Sequence, residues 1–322
     1  MMKKLHGSIT ALITPFTNGT AEVDYDAFHD LVERQLDLGT DGIVVAGTTG
    51  EHSSLSDKEL KNLFNVAVDA VHGRVPVIAG CGDSTADRAI AISHIAQDAK
   101  VDATLHIGGM EAVRHAEDDP VSIQKALCRH FHKIHDNTTL PIVMYTVQAR
   151  TGVSMRVRTI TNLSELPRVI GVKDCDTHLE DDRLAKLKRH IKRDDFSILT
   201  GEDVEALNNL IGGGDGCISV TANIAPALCA ALQAFWRTGN TERSREIHQE
   251  LMPLHEAMFQ PGTKNPQSVK YAASLFNLAT NSFRENPRDL AKSLKPITRE
   301  QEHVVNAAIH HAGIRWPEHS YA

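Results

Sequence analysis

The sequence predicts a (β/α)8 barrel, an α/β TIM barrel, followed by a C-terminal helical extension, and three observations support this prediction. Short apolar runs alternate regularly with longer amphipathic runs along most of the 322 residues. Such alternation is typical of a parallel sheet whose strands are connected by helices. The chain contains eight of these units, the number found in a (β/α)8 barrel of ~250 residues. After Gly239 the apolar spacing becomes purely helical.

The predicted strands are apolar runs that are too short for helices and are bounded by glycine, proline or polar residues. Pro15 ends the first run, and Gly42 opens the second. The sixth run is followed directly by Lys173. We place the eight strands at residues 9–14, 42–46, 75–79, 103–107, 141–145, 169–172, 196–199 and 216–220.

Between these strands, apolar residues recur at spacings of three and four, which predicts helices with one buried face. Asp24 is suited to cap the first helix, and Gly39 is suited to end it. The run Ser56–Glu59 forms a capping box before the second helix. The later helices are predicted at about 85–98, 120–135, 155–165, 179–192, 202–211 and 226–236.

This pattern divides the chain into two parts. Residues 1–237 form the predicted barrel, which is the catalytic domain, and residues 238–322 form the predicted helical region. The rival fold is a doubly wound open sheet that binds a dinucleotide. That fold requires a Gly-x-Gly-x-x-Gly fingerprint after an early strand, and the sequence contains none.

The composition is that of an ordinary globular protein, with 41% hydrophobic and 23% charged residues. The formal net charge of -7 argues against a general affinity for nucleic acid or anionic membranes. No apolar run reaches the ~18 residues of a membrane span, and the N-terminus lacks the apolar core of a signal peptide. The five cysteines are odd in number and form no Cys-x-x-Cys pair. We therefore expect a cytoplasmic protein with reduced thiols.

The stretch from Arg168 to Asp176 suggests a catalytic amine. Val169 to Val172 forms an apolar strand, and Lys173 follows it directly, so the lysine is expected near the protein interior. Burial penalises the ammonium form and lowers the lysine pKa, which frees the amine to form a Schiff base with a carbonyl substrate. The alternative is that Lys173 extends to the surface and only ends the strand.

Further candidates lie at the C-terminal ends of other strands, where barrel enzymes carry their active sites. Thr48 and Thr49 follow the second strand, and their glycine-flanked backbone can bind a carboxylate. Tyr145 ends the fifth strand and can pass protons, while Arg150 can clamp a second carboxylate. The seventh and eighth strands add two candidate substrate-binding residues, Gly201 and Ile218.

These residues also carry a resemblance to a known family. The sequence resembles the dihydrodipicolinate synthase and N-acetylneuraminate lyase family of class I aldolases over roughly residues 7–313. The motifs that carry the resemblance lie at residues 47–51, 145–152, 171–173 and 213–223. The resemblance implies a (β/α)8 barrel with a C-terminal helical region, often assembled as a tetramer of two tight dimers. It implies a Schiff base between Lys173 and pyruvate, with no separate cofactor and no metal.

The same resemblance implies roles for the other candidates. Tyr145 would relay protons together with Thr49. The pyruvate carboxylate would be held by Thr48 and Thr49, and Arg150 would guard the mouth of the site. The Thr48–Thr49 pair and the Arg150–Gly152 run look more like the synthase branch, whose aldehyde is aspartate semialdehyde on the route to lysine.

Two departures from the family pattern affect the expected chemistry, and the smaller is Tyr145-Thr-Val-Gln148 in place of the family's Tyr-Asn-Val-Pro. The larger lies after the fourth strand. The synthases carry Pro-Tyr-Tyr after the fourth strand, and one of these tyrosines reaches across the dimer into the proton relay. Here the matching residues are Gly109, Met110 and Glu111. Glu111 is a candidate replacement for that tyrosine. The alternatives left open are another aldehyde or sugar-acid substrate, and a catalytically impaired relative that only binds a 2-oxo acid.

Several other signals are interpreted as structural. His130, His132 and His135 are not spaced to lie on one helix face, so we predict no metal site there. Cys175 is interpreted as a packing residue, and Glu51 as a support of the loop after the second strand. The direction of the His106 side chain is left open.

Overall fold

The computed structural model describes residues 4–18, 21–108, 119–284 and 294–314. Eight parallel strands close into a barrel in sequence order, and the eighth pairs with the first. The predicted (β/α)8 barrel is therefore confirmed. The strands are β1 Gly7–Ala11, β2 Gly42–Val45, β3 Val77–Gly80, β4 Ala103–Ile107, β5 Ile142–Thr146, β6 Val169–Asp174, β7 Ser197–Thr200 and β8 Gly216–Ser219.

The first strand lies earlier in the chain than predicted, at residues 7–11 instead of 9–14. The reason is the hydrogen bonding of the residues that follow it. The backbone N–H of Ile13 donates to Oδ1 of Asn223 at 3.0 Å, and the Thr14 hydroxyl donates to the carbonyl of Gly50 at 2.7 Å. The apolar run thus continues past the strand into a buried loop at the C-terminal end of the barrel.

Helices connect the strands as predicted. The predicted caps are present, since Asp24 accepts a hydrogen bond from the N–H of Ala27, and Ser56 and Glu59 form a reciprocal capping box. In the described residues the helices are α1 Tyr25–Asp37, α2 Asp57–Val71, α3 Ala86–Asp98, α4 Pro120–Asn137, α5 Gln148–Thr151, α6 Val157–Ser164, α7 Arg183–His190, α8 Ala206–Ile211, α9 Pro226–Arg237, α10 Thr241–Met258, α11 Gln267–Leu275 and α12 Arg299–His311.

Helix α7 is shorter than predicted. The sequence pattern placed its start at residue 179, but the helix begins at Arg183. The preceding residue, Asp182, has a left-handed backbone conformation with φ of 53°, which a right-handed helix cannot include.

Side chains alternate along each strand between the barrel interior and the layer of helices. In β5, Val143 and Tyr145 belong to the interior cluster, whereas Ile142 and Met144 pack against the surrounding helices. The same alternation settles the direction of His106, which the sequence left open. Its ring nitrogen Nε2 lies 3.4 Å from the hydroxyl of Ser93 on α3, so His106 points away from the barrel interior.

The C-terminal helices pack against the barrel through one continuous apolar cluster. Ile13 and Val220 from the barrel, Leu251 and Leu254 from α10, and Val269 from α11 all belong to it. The helical extension is present, while the domain boundary between residues 237 and 238 stays a prediction. Within the described ranges, no helix is both long and apolar enough to cross a membrane.

Candidate active site

Lys173 is buried at the C-terminal end of β6, with only 5% of its surface exposed. It pairs in register with Tyr145 of β5 on one side and with Leu199 of β7 on the other. Its Nζ atom lies 4.6 Å from the centre of the Tyr145 ring. The lysine is therefore directed into the barrel, and the alternative that it extends to the surface is wrong for this structure.

Gly201 adjoins the lysine. A Cβ atom at this position would collide with Cε of Lys173 and with Sγ of Cys175. The absence of a side chain at residue 201 therefore makes room for the lysine side chain. Ile218 of β8 is fully buried in the same interior cluster.

Tyr145 is buried beside the lysine and remains a phenol at neutral pH. Burial raises the pKa of Tyr145 well above its ordinary value, the Cys175 thiol raises it further, and the positive charge of Arg150 acts in the opposite direction. Because the hydroxyl keeps its proton, Tyr145 can donate a proton to a group that forms next to Lys173.

A buried ion pair holds the residue after the lysine. Nε of Arg183 lies 2.7 Å from Oδ2 of Asp174, and both side chains are almost completely buried. Nη2 of Arg183 also donates to the carbonyl of Met155 at 2.8 Å. Burial raises the pKa of Asp174, and Arg183 counteracts that shift. Sequence reasoning missed Arg183, because it lies in a run of charged residues that looked like an outer helix face.

The loop after β2 carries Thr48 and Thr49. The Thr49 side chain is 1% exposed, and Thr48 is half-buried. The loop turns back through a hydrogen bond from the N–H of Glu51 to the carbonyl of Thr48 at 3.1 Å. The hydroxyl oxygen of Thr49 accepts a hydrogen bond from Nδ2 of Asn265 at 3.0 Å. Sequence reasoning missed Asn265, which lies outside the barrel in the chain.

Arg150 lies in the short helix α5, which follows the C-terminal end of β5. Gly152 ends this helix with a φ of 79°, and the Thr151 hydroxyl donates to the carbonyl of Val147 at 3.0 Å. The Arg-Thr-Gly run is thus a compact turn at the mouth of the barrel. The Arg150 side chain is exposed there, and its charge is close enough to Tyr145 to influence the phenol.

Two more side chains, Cys175 and Glu202, lie next to the lysine, although the sequence did not indicate that they belong to the site. The Cys175 thiol lies close enough to the carboxylate of Glu202, a half-buried residue after β7, to lower the pKa of that carboxyl group. Burial raises the pKa of Glu202, and the Cys175 and Lys173 side chains counteract that shift. Glu202 therefore supplies a titratable group on the side of the site opposite Tyr145, where β7 follows β6.

The remaining candidates are distributed as follows. Glu111 lies outside the described residues. His130 is buried on α4, whereas His132 is exposed on the same helix. Within residues 4–18, 21–108, 119–284 and 294–314, no group of three or more His, Cys, Asp or Glu side chains is arranged to hold a metal ion.

Comparisons with known proteins agree on one family. The model of the Dihydrodipicolinate synthetase family matches residues 4–312. A 4-hydroxy-tetrahydrodipicolinate synthase from Rhodospirillum centenum is 40% identical over 309 residues, which cover 96% of this chain and 98% of the relative.

Solved structures give the same result. A dihydrodipicolinate synthase described as the first monomeric variant is similar with a TM-score of 0.86 and 30% identity, covering 96% of this chain and 97% of that one. The dihydrodipicolinate synthase from Thermotoga maritima is similar with a TM-score of 0.85 and 30% identity, covering 96% and 99%.

Proposed function

The chain belongs to the dihydrodipicolinate synthetase family of class I aldolase-type lyases, and from that premise we propose that it joins pyruvate to aspartate semialdehyde through a Schiff base on Lys173. The named relatives that support this proposal are 4-hydroxy-tetrahydrodipicolinate synthases. As the resemblance to the synthase branch implies, the proposed step belongs to lysine biosynthesis. The observation that carries it is the position of Lys173, buried at the C-terminal end of β6 beside Tyr145.

The first half of the proposed reaction forms the nucleophile. The neutral amine of Lys173 adds to the keto carbon of pyruvate, and the hydroxyl group of the adduct leaves as water after it gains a proton. Tyr145 donates that proton, because its phenol stays protonated in this buried position. Loss of a methyl proton from the resulting iminium ion then gives an enamine, whose terminal carbon is the nucleophile.

Thr48 and Thr49 hold the pyruvate carboxylate in this proposal. Their loop follows a strand end, as carboxylate-binding loops of backbone N–H groups often do. The Thr49 hydroxyl adds a side-chain donor. Gly201 and Ile218 line the remaining walls, and neither can compete for the carboxylate because neither carries a polar side chain.

In the second half, the enamine carbon attacks the aldehyde carbon of the second substrate. Arg150 binds the carboxylate of that substrate at the mouth of the barrel, where its guanidinium can form two parallel hydrogen bonds. The amino group of aspartate semialdehyde then adds to the iminium carbon, which closes the ring and releases the Lys173 amine.

A related pyruvate aldolase with another aldehyde is the second candidate function. The observation that favours it is the sequence Gly109-Met-Glu111, where the synthases have Pro-Tyr-Tyr. We propose Glu111 as the group that takes over proton transfer in that case. The third candidate is a relative that binds a 2-oxo acid without turnover.

The reaction as proposed uses only side chains of the protein and small-molecule substrates, without a cofactor, a metal or a nucleic acid. We propose that the protein is a homo-oligomer, a dimer or tetramer. A similar synthase is described as the first monomeric variant, which supports an oligomer as the usual state. We propose a cytoplasmic location, because all five cysteines are free thiols and four of them are buried.

The test combines trapping with turnover. Pyruvate and borohydride are added to the protein, and the adduct is located by mass spectrometry. Product formation is then followed with aspartate semialdehyde and with a panel of other aldehydes. We expect an adduct on Lys173 and turnover of aspartate semialdehyde. Turnover of another aldehyde alone supports the second candidate, and an adduct without any turnover supports the third.

A further inference from the structure

We infer that the C-terminal segment from Asn265 to Lys270 positions the loop that holds the pyruvate carboxylate, with Asn265 and Lys270 as positioning residues. This inference rests on the proposed function of Thr48 and Thr49. Neither Asn265 nor Lys270 belongs to the barrel, and both act on the loop over residues 47–51.

The end of that loop has an unusual backbone. Glu51 is left-handed with a φ of 55°, a conformation that is unfavourable for a residue with a side chain and persists only where surrounding contacts impose it. Gly50 precedes it at a position where a Cβ would come within 2.9 Å of the backbone of Ala46. The loop is therefore folded tightly onto the strand end, and a specific contact is needed to hold Glu51 in place.

Lys270 supplies that contact. Its Nζ atom forms an ion pair with the carboxylate of Glu51, and both side chains are buried, Lys270 completely. The same Nζ atom donates to the carbonyl of Ser282 at 2.9 Å and lies 3.9 Å from the centre of the Phe16 ring. These contacts fix the position of the ammonium group, and the ammonium group in turn fixes the carboxylate.

Asn265 acts at the middle of the loop. Its Nδ2 atom donates to the hydroxyl oxygen of Thr49 at 3.0 Å. An amide nitrogen can only donate, so the Thr49 hydroxyl accepts on this side and its own hydrogen is directed elsewhere. Asn265 thereby keeps the Thr49 hydroxyl available as a donor for the carboxylate of pyruvate.

The two contacts come from one segment and hold the loop at its middle, Thr49, and at its end, Glu51. Asn265 precedes α11, and Lys270 lies within its first turns. A shift of this segment would move Thr49 and Glu51 together. We therefore assign to α11 a role in pyruvate affinity and not only in attaching the helical region to the barrel.

The first experiment separates positioning from stability at the ion pair. Lys270→Met alone removes the ammonium partner of the buried Glu51 carboxylate and leaves it only the weaker influence of Arg284, which destabilises the protein. The double variant Glu51→Gln, Lys270→Met removes both charges and restores much of the stability. We expect the double variant to keep a melting temperature near that of the wild type but to need at least about tenfold more pyruvate for half-maximal trapping. Recovery of wild-type half-saturation together with stability would overturn the role of Lys270.

The second experiment uses variants at Asn265, which is half-buried. Asn265→Ala removes the donor to Thr49, and Asn265→Asp replaces the donor with an acceptor of the same shape, which redirects the Thr49 hydroxyl toward itself. We expect the half-saturating pyruvate concentration to rise in the order wild type, Ala, Asp, with a smaller change in the maximal rate of trapping. Lys264→Met, at the exposed neighbouring residue, serves as the control and is expected to match the wild type.

The outcomes also distinguish this inference from the proposed function. If wild-type protein forms no adduct with pyruvate, the proposed function fails and the inference fails with it. The other outcome is that the wild type forms the adduct on Lys173 and both Asn265 variants have the same half-saturating pyruvate concentration as the wild type. In that case the proposed function stands and the positioning role of Asn265 is wrong.

Discussion

Tyr145 and Lys173 are register partners on neighbouring strands, and Nζ of the lysine lies 4.6 Å from the centre of the tyrosine ring. Paired residues of adjacent parallel strands project to the same side of the sheet, so both side chains face the barrel interior. This relationship places a buried amine and a protonated phenol around the same small volume. An adduct that forms on the amine is therefore within reach of a proton donor.

The first prediction is that borohydride reduction in the presence of pyruvate labels Lys173 and no other lysine. Lys270 is an internal control for this experiment, since it is even more deeply buried but is ion-paired with Glu51. Burial lowers the pKa of Lys270, but its amine is enclosed against Glu51, the Ser282 carbonyl and the Phe16 ring, where pyruvate does not reach it. Peptide mapping by mass spectrometry checks both positions in one sample.

The Lys173→Ala variant completes this test. It should lose the adduct and the turnover, while its circular dichroism spectrum and melting temperature stay close to those of the wild type. An adduct that maps to Lys270, or one that persists in Lys173→Ala, would contradict the assignment.

The second prediction concerns Tyr145. Tyr145→Phe keeps the aromatic ring against Lys173 but removes the proton donor, so kcat should fall by about two decades or more. Because burial raises the pKa of Tyr145 well above its ordinary value, the phenol stays protonated across the neutral range, and the wild-type rate should show no loss from tyrosine ionisation there. A pH profile of kcat from 6 to 9, in both proteins, checks these expectations. A Phe variant with the wild-type kcat would exclude Tyr145 from proton transfer.

The third prediction concerns Arg150. If Arg150 binds the carboxylate of the second substrate, Arg150→Ala should reduce the condensation far more than the trapping of pyruvate. A charge-assisted hydrogen bond contributes ~1.5–3 kcal/mol, so kcat/KM for the aldehyde should fall by about one to two decades. Arg150→Lys is the matched control, since it keeps the charge but not the two parallel hydrogen bonds, and should recover only part of the loss. Equal losses in trapping and condensation would make Arg150 a structural residue.

The fourth prediction concerns Glu111, which lies outside the described residues. If its carboxyl group replaces the cross-dimer tyrosine, Glu111→Gln should lower turnover by about two decades. Wild-type turnover should then decrease when the pH is lowered below the pKa of the working base. Glu111→Tyr gives the complementary measurement. A Gln variant with the wild-type rate would show that proton transfer proceeds through Tyr145 and Thr49 without Glu111.

The sequence was sufficient to predict the barrel and the position of Lys173, because both depend on local periodicity. An apolar run that ends in a lysine predicts a strand with a lysine at its end, and barrel geometry decides which end faces the site. The register between Tyr145 and Lys173 was not predicted, and it includes a shift between Ile142 and Val143 where β5 pairs with β6. Glu51 was expected to support its loop, and the structure identifies Lys270 as its partner.

The contacts that the sequence could not predict join segments far apart in the chain. Asn265 lies 216 residues from Thr49, and no periodicity links them. Arg183 is buried against Asp174 although it lies in a run of charged residues, and only the path of the chain before α7 shows why. The closeness of Cys175 to Glu202 likewise requires the pairing of β6 with β7. These side chains depend on tertiary structure and leave no pattern in the sequence.

The last prediction is a loss of stability in acid that originates at two buried histidines. Burial lowers the pKa of His106 to about 3, with smaller contributions from His130 and His52, and burial lowers the pKa of His130 to about 4. Both values lie below the ordinary value of about 6.5, so protons bind more readily to the unfolded chain. The stabilisation is complete above about pH 6.5 and is lost as the pH falls toward 4 and then 3.

His106→Gln tests this linkage through a slope, which does not depend on how the substitution affects stability at neutral pH. Each buried neutral histidine contributes about 1.4 kcal/mol per pH unit to the dependence of the unfolding free energy between its two pKa values. Between pH 6 and 4.5, urea unfolding of His106→Gln should therefore show a pH dependence that is shallower by about that amount. His94→Gln, an exposed histidine on the helix that His106 packs against, is the control and should keep the wild-type slope. An unchanged slope in His106→Gln would mean that His106 does not remain neutral in the folded protein as the pH falls.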